Sequence, residues 1–191
     1  MDLVEKASLR LSDPKYREAS RRFGLFNNDV EGAAISFGLF EHVILLQMAT
    51  IQGISASRSI PAEMPARLNA TITYHASCFV VAVRRAGRLL EALPSAFPPP
   101  LREQIKGEWQ RNEAFFRNFI EPRNAIEHID NEMRELTQWE SYSLTNDEFT
   151  VSTGTKVKVD REALINLLEV RDSVAKVIAG AVLEPVPILA V

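Results

Sequence analysis

Apolar positions along this chain recur at intervals of three and four over most of its length, the spacing of one helix face. The longest run lies between Ala66 and Leu93, where Ile72, Ala76, Phe79, Val83, Ala86, Leu90 and Leu93 alternate steps of four and three. Such a seam predicts a long amphipathic helix along a near-parallel neighbour. Leu93-Pro94 ends it, because the residue before proline disfavours helix, and Pro98-Pro99-Pro100 makes a stiff turn. Leu101, Ile105, Trp109, Asn112, Phe116 and Phe119 then predict a second helix over 101–121, so that the pair forms an antiparallel hairpin. Pro122 is expected to break or kink that helix at Glu121. A helical pattern resumes to about Trp139, with Ile126, Ile129, Met133 and Leu136 on its buried side.

Before the hairpin, a short helix is predicted over 14–23, capped by Asp13 with Pro14 at its first position. From Asp29 onward Ala33, Phe37, Phe40, Ile44, Met48 and Ile51 suit a further helix, although Val43-Ile44-Leu45-Leu46 would also suit a buried strand. After the hairpin the period changes. Tyr142-Ser143-Leu144, Glu148-Phe149-Thr150-Val151 and Lys156-Val157-Lys158-Val159 are short β-prone runs separated by Asn146-Asp147 and Thr153-Gly154, which predicts a small antiparallel meander. Asp160 is placed to cap a last helix carrying Leu164, Leu167, Leu168, Val174, Ile178 and Ala181 inward. The predicted fold is mainly α: an up-and-down helical bundle with a β-meander inserted before the C-terminal helix. The chain reads as a single domain over 1–191. It comprises an N-terminal helical extension (1–60), a hairpin with a following helix (66–140), the meander (141–159) and a closing helix (160–183).

Composition narrows the functional classes. At 46% hydrophobic and 25% charged residues, the chain is globular rather than disordered. Its formal charge of -3 lacks the basic excess of most nucleic-acid binders, so any RNA contact must come from a local patch. A single cysteine, Cys78, precludes an internal disulfide and fits a reducing compartment. Beside Phe79 it is expected to be a buried structural thiol. The first residues lack a signal-peptide pattern. The apolar stretch 32–51 contains Glu41, His42 and Gln47, which argues against a membrane span. The expected location is the cytoplasm.

No glycine-rich phosphate loop, Cys-x-x-Cys or Glu-x-x-His pattern is present, so neither a metal nor a cofactor is expected. His42 and His75 are expected to be surface or hydrogen-bonded core residues. His128 has different neighbours: Arg123-Asn124-Ala125-Ile126-Glu127-His128 follows the proline. Asn124 and His128, four apart, share a helix face. These residue types suit RNA cleavage by attack of the 2′-hydroxyl on the adjacent phosphorus. The imidazole serves as base or acid near neutral pH. The guanidinium grips the phosphate through paired hydrogen bonds. The amide donates to the phosphate or holds the imidazole in one tautomer. Glu127, if close, favours the acid role for His128.

Arg123-Asn124-x-x-x-His128 resembles the arginine, polar residue, spacer and histidine signature of HEPN domains, and it follows a long helical hairpin as it does in that family. In order of elements the similarity covers about Ala66 to Val182. The resemblance implies a helical bundle that dimerises with two copies of the motif facing one cleft. It further implies metal-independent endoribonuclease activity leaving a 2′,3′-cyclic phosphate, with Arg123 and His128 catalytic and Asn124 supporting. Many members act as toxins or anti-phage effectors, which would supply a neutralising, antitoxin-like partner. A homodimer also follows from the chemistry, since two histidines are needed as base and acid. Arg84, Arg85 and Arg88 leave the long helix on one side, where Arg84 and Arg88 would join Arg117 to bind RNA. The alternative is a non-catalytic binding module whose interaction surface is Phe115, Phe116 and Phe119 or the apolar tail 188–191.

Overall fold

A computed structural model describes residues 2–55, 63–132, 143–145, 148–150 and 155–181. Six α-helices are described: α1 (Leu3–Arg10), α2 (Arg17–Ser55), α3 (Met64–Ala92), α4 (Pro99–Arg117), α5 (Ile120–Glu132) and α6 (Arg161–Gly180). A three-stranded antiparallel sheet, β1 (Ser143–Thr145), β2 (Glu148–Thr150) and β3 (Lys156–Lys158), precedes α6 in the order β1-β2-β3. The chain is therefore a helical bundle with a small meander before its closing helix. The predicted helix over 133–139, the two turn dipeptides and the tail lie outside the described residues.

Two segments expected as separate helices are one. Asp13 does cap Pro14, accepting from the Lys15 amide at 3.0 Å, but what begins there is a 3-10 turn, Pro14–Tyr16. From Arg17 a single helix of 39 residues runs through Asn27-Asn28-Asp29 without a break. Phe23, Phe26, Val30, Ala33, Phe37 and Phe40 form one uninterrupted buried stripe along it. Each buried phenylalanine contributes about 2 kcal/mol, whereas each Asn or Asp inside a helix costs well under 1 kcal/mol relative to alanine. The same stripe settles 43–46 as helix, with Val43 buried and Leu45 and Leu46 exposed.

Helices α2 and α3 lie antiparallel along each other. Arg22 donates to the Ala92 carbonyl at 2.7 Å, Asp29 pairs with Arg85 at 3.4 Å, and Gln47 donates to Asn69 at 2.5 Å. Between them Phe37 and Phe79 meet at 5.7 Å, and Phe79 also meets Phe119 at 6.2 Å. The N-terminal residues thus belong to the same hydrophobic cluster as the hairpin. Arg171 pairs with Glu31 at 2.5 Å and Arg161 with Glu41 at 2.9 Å, fastening α6 to α2. Asp160 caps α6 as expected, accepting from the Ala163 amide at 2.7 Å. In the sheet Leu144, Phe149 and Val157 are in register, and Phe149 and Val157 are buried. Cys78 departs from expectation: its neighbour Phe79 occupies the core, and the thiol is half-buried at the helix flank.

Candidate anion site at the helix 4 to helix 5 turn

The chain leaves α4 at Asn118-Phe119, three residues before Pro122. Pro122 has no N–H to give the Asn118 carbonyl, four residues back, and its ring crowds that carbonyl, so the break falls one turn before the proline. Phe119 is buried against Phe115 at 5.4 Å and Phe79 at 6.2 Å, which pins the turn into the core and redirects the backbone. Pro122 is itself buried in the first turn of α5, where a backbone N–H has no intrahelical partner and its absence costs little. Thr155 donates to the Glu121 carboxylate and joins the start of β3 to the start of α5.

Arg123 stands in that first turn, half-buried, and its Nη1 donates to Asn124 Oδ1 at 3.1 Å. Arg117 occupies the last turn of α4 and is held by Glu113, with contacts of 2.8 and 2.5 Å. Arg84 and Arg88 come from α3, one turn apart, with Arg84 half-buried and Arg88 exposed. Neither makes an ion pair among the described residues. The four guanidinium groups share one field. Burial first, then Arg88, with Arg123 and Arg117 adding, pushes the Arg84 guanidinium below its ordinary value, while Glu91 opposes. Arginine stays protonated under such a shift, and Arg117 is already paired with Glu113.

Arg88, Arg123 and Arg117 are thus near enough to Arg84 for their charges to act on it. Arg85 separates from the group and turns to α2, where it pairs with Asp29. His128 lies on α5 one turn after Asn124. Its side chain, with those of Glu127 and Asp130, falls outside the described residues. His42 is exposed, and His75 is half-buried with its ring edge-on to Tyr74 at 5.3 Å. Phe116 and Phe119 are core residues, which removes them as interaction surface, and only Phe115 is partly accessible.

Two clefts flank Phe115 and Asn166 on the α4–α6 side. One, of about 410 Å³, is walled by Glu108, Arg111, Asn112 and Ser173. The other, of about 310 Å³, is walled by Asn118, Lys156, Lys158 and Glu162. Glu108 is almost fully buried and accepts from Arg111. Acidic and basic groups mix in both clefts, which does not favour a polyanion. Their walls come from positions some fifty residues apart, so no local pattern announced them. Among the described residues no three His, Cys, Asp or Glu side chains converge as a metal would require.

By length and composition alone, helix α2 is long and apolar enough to cross a membrane. Compared with known proteins, the chain matches no family model, no curated protein and no solved structure.

Proposed function

We propose that this chain is a metal-independent endoribonuclease of the HEPN type, acting through Arg123, Asn124 and His128. One observation supports the reading: on a chain of net charge -3, Arg84 feels the charge of the motif residue Arg123 together with those of Arg88 and Arg117. A phosphodiester requires such a local excess of positive charge. In the proposed reaction the 2′-oxygen loses its proton to a base and bonds to phosphorus. The bond from phosphorus to the 5′-oxygen breaks, and an acid protonates the departing oxygen. A 2′,3′-cyclic phosphate and a 5′-hydroxyl result. Arg123, backed by Arg84, Arg88 and Arg117, balances the charge that grows on the phosphoryl oxygens. His128 supplies the proton transfer, and Asn124 holds Arg123 from the adjacent position. Two chains facing each other would furnish the second imidazole, and a toxin or phage-defence role with a neutralising partner accords with that assembly.

Purified protein is expected to cleave single-stranded RNA in EDTA, with cyclic-phosphate ends detected by mass spectrometry. Arg123→Ala and His128→Ala each abolish cleavage. Undiminished activity in His128→Ala would remove this site. A second reading, a non-catalytic binding module, draws on the exposed apolar face of α2. It prevails if RNA binds or a partner is captured without any cleavage.

A further inference from the structure

We propose that the cleft between α4 and α6 binds a small organic cation, a primary alkylammonium held by the Glu108 and Glu169 carboxylates. The two helices run antiparallel here. Glu108 and Asn112 share one cleft with Glu169 and Ser173, whereas Asn118 and Phe119, later on α4, share the next with Glu162 and Ala163, earlier on α6. On α4 the buried stripe Leu101, Ile105, Phe116 and Phe119 is interrupted by Glu108, which takes the step after Ile105 and is only 5% exposed. A carboxylate is costly to take out of water, and an apolar side chain in its place is commonly as stable or more so. Packing alone therefore gives no reason for a charge at this point in the stripe.

The fold supplies Glu108 with little in return. Among the described residues Arg111 is the one group bonded to its carboxylate, and the Arg111 side chain is itself 65% exposed. A carboxylate accepts about four hydrogen bonds, so acceptor positions on Glu108 stay open. Asn112 directs its amide N–H to the Glu108 carbonyl at 2.9 Å, which leaves its side-chain oxygen for a ligand. Asn166, Glu169 and Ser173 complete the polar walls, and none of them makes a hydrogen bond or ion pair with another described residue. Two carboxylates against one guanidinium leave one negative charge in excess. An ammonium group brings N–H donors and a positive charge and no acceptor, which is what this set lacks. Half-buried Phe115 supplies an apolar wall for the alkyl chain and a ring attractive to a cation. The cleft, of about 410 Å³, falls within the roughly 300–1,000 Å³ of small-molecule sites. A short linear diamine can offer one head to buried Glu108 and the other to exposed Glu169. None of these residues belongs to the arginine cluster, so the assignment stands independently of the ribonuclease reading.

Isothermal titration calorimetry of the full chain with 1,4-diaminobutane tests the assignment, with 1,4-butanediol as the uncharged probe. Saturable one-to-one binding of the diamine is expected, and none of the diol. Glu108→Gln keeps the side-chain shape, and Glu169→Gln lies on exposed surface. Each is expected to weaken binding at least about tenfold, the loss of one hydrogen bond to a charged group, with the helical circular dichroism unchanged. Glu103→Gln, exposed elsewhere on α4 beside Lys106, is expected to change nothing. Arg111→Ala removes the internal competitor for Glu108 and is expected to tighten binding, which a merely structural role for that pair would not produce. Absence of saturable binding by the native chain overturns the inference, as does parental affinity in Glu108→Gln or Glu169→Gln. An equal fall in Glu103→Gln would reveal general attraction to acidic surface and overturn it too. Tighter binding of Nα-acetyl-lysine amide than of the diamine would place a protein lysine in the cleft and equally overturn the small-ligand assignment.

Discussion

Gly87 lies on α3 between Arg84 and Arg88, packed directly against Phe116 of α4. A Cβ built there would stand 2.7, 2.8 and 2.9 Å from Cδ1, Cγ and Cβ of Phe116. Rotating the ring relieves the first two contacts but leaves the third, so the α4 backbone must withdraw. Phe116 has little room to do so: it is fully buried, stacked on Trp109 at 5.8 Å and edge-on to Phe115 at 5.1 Å. Overpacking of this kind costs about 1–3 kcal/mol, and three contacts below 3.0 Å place Gly87→Ala near the upper end. Alanine returns about 1 kcal/mol through helix propensity. The net loss is about 2 kcal/mol, a roughly 30-fold fall in the folded-to-unfolded ratio and a drop in Tm of about 4–8 °C for a chain of this length. Urea denaturation followed by circular dichroism reads the change directly. In Gly87→Ala, Phe116→Leu, part of the loss is expected to return, since the smaller side chain yields. The same displacement separates Arg84 and Arg88 on α3 from Arg117 on α4, so affinity for single-stranded RNA is expected to fall as well. A Gly87→Ala protein as stable as the parent, or more so, refutes the claim that this glycine sets the approach of α3 and α4.

Arg88→Ala is expected to weaken RNA binding and reduce the salt dependence by about one counterion, while Arg85→Ala, whose side chain faces Asp29 on α2, leaves the slope unchanged; fluorescence anisotropy across a salt series distinguishes them. Asp160→Ala removes the acceptor for the Ala163 amide and is expected to cost about 1 kcal/mol in urea denaturation. Burial, outweighing the nearby Arg85, holds the Asp29 carboxyl above its ordinary range. The folded state therefore takes up this proton more readily than the unfolded state. Its favourable contribution is present in acid and lost as pH rises through the raised value. Asp29→Asn escapes that loss, so its stability relative to the parent is expected to improve from pH about 4 to pH 7; a flat or opposite difference in melting temperature contradicts it.

How much was legible depended on whether the cause was local. The seam from Ile72 to Leu93 announced α3 because a single face repeats over many turns. Asp160 announced the start of α6, because an N-cap is a property of a few consecutive residues. Asp2 and Glu5 carried an equally local signal: each side chain accepts from the other's backbone, at 2.7 and 2.9 Å, and they start α1, which the apolar pattern alone did not show. The boundary at Pro122 was misplaced. A proline acts on the carbonyl four residues before it, so the break falls at Asn118-Phe119 and Pro122 sits in the first turn of α5, while Phe119 meets Phe79, forty positions earlier. The gap expected between the helix over 14–23 and the one from Asp29 closes because weak local preferences yield to a buried stripe.

The motif and its arginines were visible as residue types, and their number and spacing needed nothing beyond the chain. Which of them meet was not visible. Arg84 and Arg85 are neighbours in sequence, yet successive helical residues point about 100° apart, so one joins Arg117 and Arg123 while the other crosses to Asp29. By itself the sequence determined most of the helices, the meander and the absence of an internal disulfide, because periodicity, turn chemistry and composition act over short distances. Only the tertiary structure decided the α3–α4 approach at Gly87, which charges act on Arg84, and the exposed apolar residues of α2. Those features depend on which side of each helix finds a partner, and that is settled by packing among residues far apart along the chain.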